Sequence, residues 1–117
     1  MLPLTRAIHL YQGDSFSLKF RLKTRDGSEP PIVTPVNLTG CTAKAQIRTF
    51  ETDTPTVVAE FATQVTDAAN GEVELKLTPE QTAEIEGGRW DVQITFADGS
   101  VKTYIRGNVA VKSQVTL

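Results

Sequence analysis

The side chains able to do chemistry are few and scattered. Acid–base or nucleophilic catalysis needs a base beside a nucleophile, and the chain offers one histidine, His9, and one cysteine, Cys41, with no Gly-x-Ser-x-Gly turn. A lone cysteine has no disulfide partner and cannot furnish the four ligands of a structural zinc site, so Cys41 reads as a small buried hydrophobe. His9 reads as a solvated imidazole on an edge strand. Asp14, Asp26, Asp53, Asp67, Asp91 and Asp98 read mostly as turn residues, where a short carboxylate bonds nearby backbone N–H groups, and nothing selects a glycosidase-like pair among them. Asp67-Ala68-Ala69-Asn70-Gly71-Glu72 carries oxygen donors around a glycine without the alternate-position spacing of a calcium loop. Gly87-Gly88 lacks the lysine and the following helix of a phosphate cradle. The expectation is a non-enzymatic protein with no catalytic, cofactor or metal site.

Binding chemistry has two candidates. Lys19, Arg21, Lys23 and Arg25 occupy every second position, which in a strand projects four cations from one face at intervals of about 7 Å. They serve either as a solvated outer face or as an electrostatic contact for an acidic partner. The other candidate is apolar: Leu2 and Leu4 in an amino-terminal arm (residues 1–6), Ile32, Val33 and Val36 in a proline-rich stretch, and Val115 and Leu117 in a carboxyl-terminal arm (residues 113–117). These lack strand periodicity, and the proline-stretch residues either cover an open end of the core or contact another subunit.

The positioning elements are legible from alternation. In Gln12-Gly13-Asp14-Ser15-Phe16-Ser17-Leu18-Lys19-Phe20-Arg21-Leu22-Lys23 a Gly-Asp turn releases a run in which Phe16, Leu18, Phe20 and Leu22 must share one face. A first strand spans Ala7 to Tyr11 and the second Ser15 to Lys23. Pro30, Pro31 and Pro35 remove ladder donors, so the segment from Ser28 to Val36 reads as an extended loop or edge that cannot fold back into a ladder. Further strands run from Thr42 to Arg48, from Val57 through Phe61 to the turn at Asp67-Ala68-Ala69-Asn70-Gly71, and from Glu72 to Leu77. Thr78-Pro79-Glu80-Gln81 has the cap, proline and returning glutamine of a helix start, giving a short crossover helix near 79–85 that ends at Gly87-Gly88. Trp90, Val92, Ile94 and Phe96 alternate inward. Asp98-Gly99 turns into a long last strand, Val101 to Val111, with Gly107 as a bulge. The fold expected is all-β, an immunoglobulin-like antiparallel sandwich of seven or eight strands, in one domain covering residues 1–117.

Composition narrows the partners. With 117 residues, 22% charged and a net charge of -2, the chain can bury a core without staples and has no bulk attraction to nucleic acid. Its aromatic content of 7% leaves Tyr11, Phe50 and Tyr104 as the rings available to a sugar once Trp90 is in the core. The amino end lacks the apolar run of a secretory signal and no stretch approaches a membrane span, so synthesis in a cytoplasm and no membrane partner are expected.

Several blocks together are similar to one family. Gln12 to Leu18, Val36-Asn37-Leu38-Thr39-Gly40-Cys41 running on to Arg48, Gly71 to Thr82, Gly87-Gly88-Arg89-Trp90-Asp91-Val92-Gln93-Ile94 and Asp98 to Val101 follow the order of blocks in the tailed-phage baseplate upper protein N-terminal domain. Cys41 stands where that pattern places an aromatic residue. The resemblance implies an immunoglobulin-like virion module that anchors receptor-binding or fibre parts to a tail, with other phage structural proteins as partners and the virion as its location; multiple copies or a homo-oligomer within the particle are expected. Capsid decoration or a head–tail collar role is the alternative within that class, and a carbohydrate- or receptor-binding sandwich is the alternative outside it.

Overall fold

A computed structural model describes residues 4–25, 33–50 and 53–112. The strands are β1 (Leu4–Thr5), β2 (Ile8–Tyr11), β3 (Phe16–Arg21), β4 (Lys23–Arg25), β5 (Val33–Pro35), β6 (Thr42–Arg48), β7 (Val57–Glu60), β8 (Ala62–Asp67), β9 (Glu72–Leu77), β10 (Gly88–Thr95) and β11 (Val101–Lys112), with one α-helix, α1 (Pro79–Ala83), between β9 and β10 and a single 3-10 turn, Ala68–Asn70, between β8 and β9. The chain is an all-β sandwich. Its larger sheet has the order β1-β11-β10-β6-β7, with β2 also on β11; the smaller sheet is β3-β9-β8, and β4 and β5 form a separate ribbon.

Alternation does what the sequence reading expects in the middle of each sheet. Trp90, Val92 and Ile94 of β10, Val73, Leu75 and Leu77 of β9, and Ile47, Leu22 and Phe61 are all buried. Phe16, Leu18, Phe20 and Phe96 face the same core but remain half-buried. For the three on β3 the reason is position: β3 is an edge of a three-stranded sheet, so no neighbour covers its outer side.

The chain changes sheets at Phe61. Its N–H still bonds to Ala45 O of β6 at 2.9 Å, while Ala62 already pairs with Lys76 of β9. The strand read as continuous from Val57 to Asp67 is therefore two, one in each sheet, and Val57 is exposed instead of inward. The Thr63 hydroxyl ties the corner by donating to Ala43 O at 2.8 Å. Phe61 also sits between two other rings, 6.1 Å from Phe16 and 6.1 Å from Trp90, the latter edge-on, an arrangement aromatic quadrupoles favour. These three side chains join β3 to β10 through the corner.

Helix α1 forms as its first residues dictate. The Thr78 hydroxyl accepts from Gln81 N and the Gln81 side chain accepts from Thr78 N, with Pro79 at the first turn. Buried Thr82 donates to Asp14 O at 2.7 Å and accepts from Gly13 N at 3.1 Å, so the helix clamps the Gly-Asp turn that starts β3. Gly71 closes the preceding turn at φ 70, and a Cβ there would meet Leu22 O at 2.6 Å.

Among the described residues the strands number eleven and not seven or eight, partly because the run read as Ser15 to Lys23 divides at Leu22 into β3 and β4. Three further features depart from the sequence reading. First, β1 and β2 run parallel to β11 with one unbroken register, Thr5 beside Arg106 and Ile8 beside Val109, so the sandwich is not wholly antiparallel. Leu4 and Thr5 are thus part of the domain's own sheet and not a loose arm. Second, Val33–Pro35 does enter a ladder, pairing antiparallel with β4; a two-stranded ribbon leaves one side of β5 unpaired, where proline is tolerated. Third, the bulge in the β10–β11 pair lies opposite Val92 and Gln93, not at Gly107. Gly107 serves a close approach, because a Cβ on it would fall onto the Arg6 carbonyl oxygen. That carbonyl accepts a 2.7 Å bond from the Trp90 indole N–H.

Trp90→Phe keeps a ring in the core but deletes the indole donor and orphans the Arg6 carbonyl, so it should destabilise by about 1–3 kcal/mol. Gly107→Ala drives the Arg6 segment away from β11 and should lose a similar amount, about 1–3 kcal/mol. Urea unfolding midpoints measure both, and an unchanged midpoint for Gly107→Ala would show that the Arg6 carbonyl is not seated there.

Candidate functional site

On β10 the residues that alternate with the core point outward, and this sets the chemistry of the larger sheet's outer face. Arg89 lies directly beside Arg48 of β6, and Asp91 lies between Gln46 of β6 and Arg106 of β11. Two arginines side by side repel, and the structure turns them apart. Arg48 reaches Asp91 at 3.0 Å and Gln46 at 2.7 Å, with Gln46 in turn donating to Glu60 at 3.3 Å. Arg89 swings the other way and places its guanidinium 6.0 Å from the centre of the Phe50 ring, a cation–π geometry.

The result is a depression of about 490 Å³ lined by Arg48, Arg89, Arg106, Asp91, Trp90 and Pro55, among others. Next to it, across Thr49, lies a second depression of about 330 Å³ lined by Phe50, Val58, Glu84, Glu86 and Gly87. The first is rich in donors and the second carries acceptors. Asp91, read from sequence as one of the turn carboxylates, sits in the middle of β10 as the partner of Arg48. The sequence signal was present, since Arg48 and Gln46 alternate outward on β6 and Arg89 and Asp91 do so on β10; what pairs them is sheet register.

The cationic stripe expected on β3 is divided. Arg21 Nε bonds to Glu72 Oε2 at 3.0 Å, and Lys19 Nζ lies 3.9 Å from Glu72 Oε1, because β9 sets Glu72 and Glu74 opposite Arg21 and Lys19. Lys23 and Arg25 belong to β4, paired with Pro35 and Val33. The Arg21 hydrogen bond, helped by the Thr66 hydroxyl, holds the Glu72 carboxyl below its usual range. Asp98 is also held low, by the Ser100 hydroxyl and backbone N–H that close its turn.

Of the apolar contact residues, Leu4 and Val33 are exposed, whereas Val36 packs partly against the core and bonds through its N–H to Leu22 O at 2.9 Å. Leu2, Ile32, Val115 and Leu117 lie outside the described residues. Phe50 and Val57, exposed by 52% and 47%, add to this set, although the sequence reading took Phe50 only as a ring for a sugar and Val57 as inward-facing. His9 and Cys41 do not meet: His9 pairs with Ala110 at one end of the larger sheet, and Cys41 precedes Thr42, which pairs with Thr95 at the other. Cys41 itself is only half-buried, less than expected of a core thiol. The three candidate sugar platforms each have a cation over the ring, Lys112 on Tyr11, Arg89 on Phe50 and Lys102 on Tyr104. No group of three or more metal-ligating side chains converges among the described residues.

The larger sheet's outer face is thus patterned with guanidinium groups, carboxylates and exposed apolar side chains. The chain belongs to the LtfC-like β-sandwich domain family, whose model matches residues 3–112. That membership is consistent with a phage β-sandwich module. No curated protein matches the chain.

Glu72 gives a pH test. Its folded pKa is depressed, so its contribution to stability is complete above the ordinary value of 4.5 and is lost as pH falls through the lowered folded value. Glu72→Gln should melt below the parent protein near neutral pH, and the gap should close in acid below that ordinary value. A gap independent of pH would assign the loss to packing instead of to the Lys19–Arg21–Glu72 charges.

Proposed function

We propose that this protein is a non-enzymatic structural component of a phage virion, a tail, baseplate or fibre-anchoring adaptor that works by protein–protein contact in multiple copies. The observation that carries this reading is membership of the LtfC-like family over residues 3–112, named for a phage tail-associated protein. The surface supports it: Leu4, Val33, Phe50 and Val57 are exposed apolar side chains that the core does not use, and all but Phe50 lie on strands held by cross-strand pairing. Repeated copies of such a module add weak contacts by effective concentration.

The test is fractionation. In purified particles of the phage that encodes it, peptides of this chain should appear with the tail after heads and tails are separated, and antibody labelling should decorate the tail. Recovery with heads alone would place it as a capsid or collar component. Absence from purified particles would remove the virion reading altogether.

A further inference from the structure

The two depressions on the larger sheet form one boundary with opposite chemistry on its two sides. Arg89 and Arg106 line the first, and neither has a carboxylate partner among the described residues. Glu84 and Glu86 line the second, equally without a cationic partner among those residues. Thr49 belongs to both, and Phe50 stands at the junction, with Arg89 over its ring and Gly87 packed beside its edge. The outer face of the smaller sheet differs: there Arg21 and Lys19 share Glu72, and Lys76 lies 3.5 Å from Glu74.

A surface with cations on one side of a point and carboxylates on the other is complementary to itself after a half-turn about that point. We infer that a second copy of this chain docks at this boundary about a two-fold axis near Phe50, with Arg89 and Arg106 of each copy facing Glu84 and Glu86 of the other. This chain already carries both halves of the match, side by side and not engaged with each other, which is the reason to choose a second copy over a different partner. The centre has suitable composition, since Phe50 is 52% exposed and aromatic residues with arginine are enriched where interfaces desolvate. The pairing depends on this surface alone and not on the virion reading.

Charge exchange tests it. Sedimentation equilibrium at low salt should show a concentration-dependent dimer for the parent chain, weakening as salt rises. R89E and E86R should each raise the dimer dissociation constant by about tenfold or more, because each places like charges opposite one another twice in a symmetric pair. An equimolar mixture of the two variants should associate again, to within about threefold of the parent, since both contacts then join opposite charges. Both substitutions are at exposed positions, and thermal melting of each variant checks that its fold is kept. A parent chain that stays monomeric at concentrations approaching about 1 mM, a range that still detects weak interfaces, would overturn the inference. So would a mixture that associates no more tightly than either variant alone.

Discussion

The hydrogen bond from the Trp90 indole to the Arg6 carbonyl, 2.7 Å long, is the constraint on which the rest of the sandwich depends. Trp90 is buried on the central strand of the larger sheet, and a buried N–H without a partner would be strongly unfavourable. Its acceptor comes from the amino-terminal segment, which must therefore cross over Gly107, the one residue of β11 there with no side chain to obstruct it. Seating Arg6 in this way aligns β1 and β2 along β11 in a single parallel register. It also holds the indole edge-on to Phe61, the residue at which the chain passes from one sheet to the other. One side chain thus locks the edge of one sheet and the corner between both.

The outer surface follows from the same strand. Once Trp90, Val92 and Ile94 are committed to the core, Arg89, Asp91 and Gln93 must face out. Register then places Arg89 against Arg48, an arrangement relieved by Asp91 and Gln46 on one side and by the Phe50 ring on the other. The depression between them is a product of separating like charges. The smaller sheet shows the opposite solution, with cations and carboxylates set on adjacent strands so that they neutralise one another.

Alternation within a strand is local information, and so the strands from Thr42 to Arg48 and from Glu72 to Leu77, the inward face of β10 and the capped start of α1 are all legible in the residues themselves. Each depends on a period of two or on a side chain reaching a backbone group three residues away. Whether an inward face is covered is not local. Phe16, Leu18 and Phe20 alternate as cleanly as Trp90, Val92 and Ile94, yet they are only half-buried because β3 has a neighbour on one side alone. The same limit explains Val57 and Phe61, whose spacing is continuous although the sheet beneath them changes.

Legible in the residues alone, then, are an all-β chain with one short α-helix and the inward face of most strands, Val57 excepted. Only the folded sheets supplied the cross-strand partners of the outward side chains. Arg21 reads as a free cation until β9 brings Glu72 beside it, and Asp91 reads as a turn residue until β6 brings Arg48. The proline-rich stretch reads as a loop until β4 supplies a ladder to Val33–Pro35. Pairing between strands is set by register across long separations in sequence, and the energy that selects a register comes from the buried faces. Outward charges are carried along with it, and for that reason their pairing is seen only in the folded protein.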